Sequence, residues 1–182
     1  MVYVHLAKGF EEIETLTVVD LLRRADIDVK LVSVAEERIV EGAHGIKVEA
    51  DIIFDDADYD SCEMIVLPGG MPGAENLRQH KGLFDVIEKF SQIGKNLAAI
   101  CAAPMVLAGH SALTGKTATI YPGFEEHLDN IIPINAEIIE DGNVLTGKGP
   151  AFAMKFALAI IEKIKGKETA DDVAKGLLFD RG

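Results

Sequence analysis

The sequence predicts an α/β fold built on a mostly parallel sheet. Three observations carry this expectation. Short β-branched runs alternate with longer amphipathic patterns from one end of the 182 residues to the other, the rhythm of βαβ units. Several short runs are apolar at every position, as strands covered on both faces are. Glycine, proline and aspartate clusters punctuate the runs. With 48% hydrophobic residues the chain can close one sizeable core but not two comfortable ones, so residues 1–182 read as a single domain.

Val2 to Ala7 reads as the first strand. After the Lys8-Gly9 turn, Glu11 to Ala25 reads as a helix, with acids in its first turn and Arg23 and Arg24 in its last, as the helix dipole favours. Val29 to Val34 is a second strand. Ile39-Val40 and Ile46 to Val48, separated by Glu41-Gly42-Ala43-His44-Gly45, form a small peripheral hairpin. Met64 to Leu67 is a buried strand stopped by Pro68-Gly69-Gly70. Gly82 to Ile93 repeats Leu83, Val86, Ile87 and Phe90 at helical spacing, with Gly94 as its stop. Leu97 to Ile100 is the next buried strand, and Cys101 leads from it into an Ala-rich helix over Ala102 to Ala108, with Pro104 in the first turn. Thr117 to Ile120 reads as a strand, and Glu137 to Ile139 pairs with Val144 to Thr146 across Asp141-Gly142. Ala151 to Ile164 and Ala170 to Leu178 are the closing helices.

A formal net charge of −12 repels phosphate at every approach, so neither nucleic acid nor an anionic membrane is expected as a partner. No window supplies the roughly 18 apolar residues of a spanning helix, and the opening residues lack a signal-peptide pattern, so the expected location is the cytoplasm. Two cysteines, Cys62 and Cys101, in no CxxC spacing leave no material for a disulfide framework or structural zinc site. No metal and no cofactor are expected. Cys62 precedes a strand with no basic or helical neighbour and is read as incidental.

Cys101 carries the chemistry. A strand that enters a helix through one residue bends within that residue, often at strained dihedrals, and this would lift the thiol clear of the sheet. Backbone N–H groups at the following helix start favour the thiolate. Open α/β sheets bind ligands outside the carboxyl ends of their strands, where Gly69-Gly70 also lies. The amides of Gly70 and Ala102 can therefore converge on the oxygen of a carbonyl attacked by the sulfur, an oxyanion hole. Of the acids just past the first strand, Glu14 is expected to face inward while Glu11 and Glu12 stay in water. A buried carboxyl beside a thiolate should keep its proton and donate a hydrogen bond to sulfur. His5, His44, His80, His110 and His127 are scattered and support no Cys-His dyad, and the adjacent Glu125-Glu126-His127 cannot all face one ion.

The runs LAKGFEEIET (6–15), VLPGGMPGAENL (66–77) and AAICAAP (98–104), joined by TGKGP (146–150) and FALAII (156–161), resemble the ThiJ/PfpI superfamily, specifically its DJ-one branch. The resemblance spans nearly the whole chain. It implies a flavodoxin-like three-layer α/β/α sandwich, usually a homodimer, with Cys101 at a nucleophile elbow, a protonated Glu14 bonded to it, and oxyanion amides on Gly70 and Ala102. Activities attributed to the branch are cofactor-independent glyoxalase activity on methylglyoxal, deglycation of early aldehyde adducts, oxidative-stress sensing through a cysteine sulfinate, and chaperoning. Protease-like relatives place His directly after the cysteine; Ala102 stands here, which argues against a peptidase or amidase. Tyr121-Pro122 replaces the His-Pro of some relatives, and Tyr121 can donate a hydrogen bond to a bound carbonyl but is a poor base near neutral pH. His44 stands where some relatives carry an Arg beside a dimer-side anion pocket, and Arg24 matches another Arg of that pocket. The reading is a glyoxalase III or deglycase-like enzyme of the hydro-lyase or hydrolase type. Its substrate is a small α-oxoaldehyde or a glycated adduct. A redox sensor built on Cys101 is the alternative.

Overall fold

The structure is a computed structural model, and it describes residues 1–128 and 131–181. In chain order the elements are β1 (Val2–Leu6), α1 (Glu12–Arg24), β2 (Val29–Ser33), β3 (Ile39–Glu41), β4 (Lys47–Glu49), β5 (Ile52–Ile53), β6 (Met64–Leu67), α2 (Gly73–Gln79), α3 (Lys81–Gln92), β7 (Asn96–Ile100) and α4 (Pro104–Ala108). There follow β8 (Thr117–Ala118), β9 (Ile132–Pro133), β10 (Ile138–Asp141), β11 (Val144–Gly147), α5 (Ala153–Lys165) and α6 (Lys167–Gly176).

Seven strands form the main sheet in the order β10-β11-β7-β6-β1-β2-β5, parallel throughout except for the antiparallel β10–β11 edge hairpin. β1, β6, β7 and β11 are buried almost end to end, because helices cover both faces of the sheet. α1, α5 and α6 pack together as one layer, and α2, α3 and α4 as the other. The core between layers holds Phe10, Phe90 and Phe156 with the apolar strand residues. Truncating one such ring to Ala costs about 3–5 kcal/mol. Among the described residues no helix is long and apolar enough to cross a membrane.

The chain leaves β1 toward β2 on one side and continues through β6, β7 and β11 on the other. The topological switch point, where such sheets open a crevice, therefore lies at the carboxyl ends of β1 and β6. The β6–β7 register pairs Leu67 with Ala99, so Gly69 and Cys101 leave the sheet side by side.

Three expectations change. The strand read over 117–120 shrinks to β8, which pairs with β9 off the main sheet, because Thr119 N–H turns to Thr146 Oγ1 (3.0 Å) and Tyr121 N–H to the Cys101 carbonyl (2.9 Å). The stretch after Pro72 contains the short helix α2, missed because it opens on glycine and has few apolar positions. The β3–β4 hairpin is not peripheral: its turn folds over the start of α1, with Gly9 N–H donating to Glu41 O (2.8 Å) and Ala43 N–H to Phe10 O (2.8 Å).

Candidate active site at the end of strand seven

Cys101 sits at the sharp bend between β7 and α4 with φ +62°, a left-handed conformation that costs a non-glycine residue roughly 1–2 kcal/mol. Two backbone bonds hold it there. Its N–H donates to the Gly147 carbonyl of β11 (2.8 Å), and its carbonyl accepts from Tyr121 N–H (2.9 Å). The bend does not lift the sulfur into water as expected, since Cys101 is only 8% exposed. The cover comes from the loop after β6 and from α1. An added Cβ at Gly69 would stand 2.6 Å from Cys101 Cβ, 2.8 Å from Glu14 Oε2 and 3.0 Å from Cys101 Sγ, so thiol and carboxyl crowd one point that only glycine leaves open.

Gly70 has φ +85°, and the backbone amides of Gly70 and Ala102 pull the Cys101 thiol pKa down against the effect of burial. The two amides expected to form the oxyanion hole thus converge on Cys101. α4 begins three residues further on and is five residues long, so individual N–H groups act on the sulfur rather than a helix dipole.

Glu14 is fully buried at the start of α1, where Oε2 accepts the Gly69 N–H (2.7 Å). Its Oε1 is buried and accepts no hydrogen bond from a protein donor. Burial raises this carboxyl to about 7 against the opposing pull of Gly69 N–H. Burial and the neighbouring Glu14 charge push the Cys101 thiol up to about 12, while the Gly70 and Ala102 amides pull it down. A preformed thiolate at neutral pH is therefore not the resting state. Burial thus favours the protonated form of both groups. With the proton on Glu14, the charge that raises the thiol is gone and the two amides remain.

The other predicted residues scatter. Glu11 and Glu12 do not stay in water: they are 8% and 4% exposed, covered by the β3–β4 turn. His44, at the tip of that turn, meets Glu12 through Nδ1 (2.8 Å), and the Glu12 and Glu11 carboxylates raise its pKa. Tyr121 touches the site through its backbone; its ring is 44% exposed and packs edge-on to Phe124. Arg24 lies in the last turn of α1 and pairs with Asp20 (2.8 Å). Glu125 to His127 form an exposed 3₁₀ turn. Sequence reasoning missed Gly69 as the contact point of the pair and Gly42 as the seat of Glu12; in each case the signal is a glycine whose Cβ would strike a functional side chain.

Residues 1–163 match the DJ-1/PfpI family. Protein DJ-1 homolog A of Arabidopsis thaliana is 37% identical over 98% of this chain, and a deglycase of Pyrococcus abyssi is 30% identical over 79% of this chain and 87% of its own length. The chain spans less than half the length of the two Arabidopsis relatives, 41% of homolog B and 46% of homolog A. Among solved structures, that of oxidized Toxoplasma gondii DJ-1 superposes with a TM-score of 0.94 at 36% identity, covering 98% of this chain and 97% of that one.

Proposed function

This chain belongs to the DJ-1/PfpI family, and from that premise we propose that it is a cysteine-dependent glyoxalase or deglycase acting on small α-oxoaldehydes such as methylglyoxal, or on their early protein adducts. One observation carries the reading: the Cys101 thiol and the buried Glu14 carboxyl crowd one point beside Gly69 at the sheet's carboxyl edge.

In the first step the Cys101 proton passes to Glu14 as sulfur bonds to the aldehyde carbon. The carbonyl electrons move to oxygen, which the Gly70 and Ala102 amides stabilise before it is protonated. A carboxyl near 7 is matched to proton transfer at neutral pH. Glu14 gives its proton to that oxygen, and from the resulting hemithioacetal its carboxylate removes the proton on the former aldehyde carbon and returns it to the neighbouring carbonyl carbon, while the hydroxyl proton moves to the neighbouring oxygen, leaving a 2-hydroxy thioester. Water then cleaves the C–S bond, releasing a 2-hydroxy acid and restoring the thiol. Aldehyde plus water balances hydroxy acid, with no redox partner. The homodimer implied by the family likeness belongs to this reading, with exposed Ile13 and Leu16, nearly one turn apart on α1, as apolar surface for a second copy.

Cys101→Ala should abolish methylglyoxal loss, and Glu14→Gln should reduce it at least about 100-fold, the lower range of general acid–base contributions. Full activity in Cys101→Ala would refute the mechanism. The second reading, an oxidation sensor, is favoured by the same two amides, which can hold oxygens added to the sulfur. Selective gain of two oxygens at Cys101 under mild peroxide, with negligible aldehyde turnover, would decide for it.

A further inference from the structure

We propose that Thr146 is a positioning residue for Cys101, its hydroxyl closing a ring of hydrogen bonds that fixes the bend and aims the Ala102 amide. The ring runs through three segments. Cys101 N–H donates to the Gly147 carbonyl (2.8 Å), and Thr146 precedes Gly147 on β11. Thr146 Oγ1 accepts the Thr119 N–H (3.0 Å), and Tyr121 N–H, two residues further along, donates back to the Cys101 carbonyl (2.9 Å). Every donor and acceptor in the ring is a main-chain group except Thr146 Oγ1. It is the one member that a substitution can remove.

Two features give that hydroxyl its leverage. β8 ends at Ala118 and pairs with β9 off the main sheet, so the Thr119–Thr146 bond is what ties the following residues to β11. Thr119 and Thr146 are each 1% exposed, and the preceding β11 residues Val144 and Leu145 are apolar, so packing alone gives position 146 no need of an oxygen. The second feature is the planarity of the peptide unit. The Cys101 carbonyl and the Ala102 N–H belong to one plane and point in opposite directions. Holding the carbonyl on Tyr121 N–H therefore directs the Ala102 N–H the other way, and that amide pulls the Cys101 thiol down. At φ +62° Cys101 is held against its own preference, so opening the ring lets this plane turn.

The role of Thr146 rests on the reading of Cys101 as the reacting group, and its test reads the sulfur itself. Iodoacetamide alkylation of Cys101 is followed by peptide mass against pH in the full chain. Thr146→Val, equal in shape but without the hydroxyl, should move the profile to higher pH and slow alkylation at about pH 8 at least about threefold, while Thr146→Ser keeps the native profile. Thr119→Val removes a buried hydroxyl bonded to the Ala136 carbonyl (2.7 Å) but leaves the ring whole, so it should lower the melting temperature without moving the profile. In the native chain, where no variant has to fold, the amide protons of Cys101, Thr119 and Tyr121 should exchange within about threefold of one another because the bonds open as one unit. A native profile in Thr146→Val, no rescue by Thr146→Ser, an equal shift in Thr119→Val, or Tyr121 exchanging well ahead of Thr119 would overturn the role. The expected shifts in a chain that leaves methylglyoxal untouched would uphold it and count against the glyoxalase reading alone.

Discussion

Replacing Glu14 with glutamine should change how stability depends on pH, by an amount the structure sets. Burial raises this carboxyl from 4.5 to about 7 in the folded chain, while in the unfolded chain it returns to the ordinary value. Below about pH 4.5 both states hold the proton and the group is neutral to stability. From there up to about 7 the unfolded chain releases its proton while the folded chain keeps it, so stability falls as pH rises. Above about 7 the loss is complete. At 1.36 kcal/mol per pKa step the gap comes to about 3 kcal/mol. In a chain of this size each kcal/mol moves the melting temperature by roughly 2–4 °C, so the full effect is about 6–12 °C. Glutamine has the same shape, accepts the Gly69 N–H through its carbonyl, and cannot ionise. Thermal melts of wild type and Glu14→Gln at about pH 4.5 and about pH 8 isolate this one group, because titrations common to both proteins cancel. The melting-temperature difference should shift toward the variant by roughly that 6–12 °C between the two buffers. A difference that stays constant would refute a carboxyl that ionises near neutrality inside the fold.

Gly69→Ala forces a methyl to within 2.6 Å of Cys101 Cβ and 2.8 Å of Glu14 Oε2; it should cost about 1–3 kcal/mol and slow both thiol alkylation and aldehyde turnover, and unchanged melting and rates would count against the crowding. Gly42→Ala displaces Glu12 from its amides, so NMR titration should find His44 returning toward its ordinary 6.5.

The sheet was readable because its strands are apolar throughout and its helices repeat at 3.6 residues, signals internal to each segment. The bend at Cys101 and the amides of Gly70 and Ala102 followed from motifs at strand ends, and the inward turn of Glu14 from its place one turn beyond Glu11. What escaped depends on contacts between distant segments. His44 and Glu12 meet across 32 positions, and nothing in either segment announces the pairing. The burial of Glu11 and Glu12 follows from that same turn. The cover over the sulfur is supplied partly by glycine backbone, which leaves no hydrophobic pattern to read.

The loops after β1 and β6 meet main chain to main chain. Glu11 N–H donates to Gly69 O (2.9 Å) and Gly73 N–H to Gly9 O (3.1 Å), while a Cβ on Gly70 or Gly73 would strike the opposite backbone at 2.4 or 2.6 Å and one on Gly9 would strike the Pro72 ring at 2.6 Å. A joint made this way insulates the donors around the sulfur from drift in neighbouring side chains. Lineages of this architecture can therefore explore new specificities through rim positions such as His44 and Tyr121 at little risk to the reacting geometry, while positions 9, 70 and 73 are closed to variation.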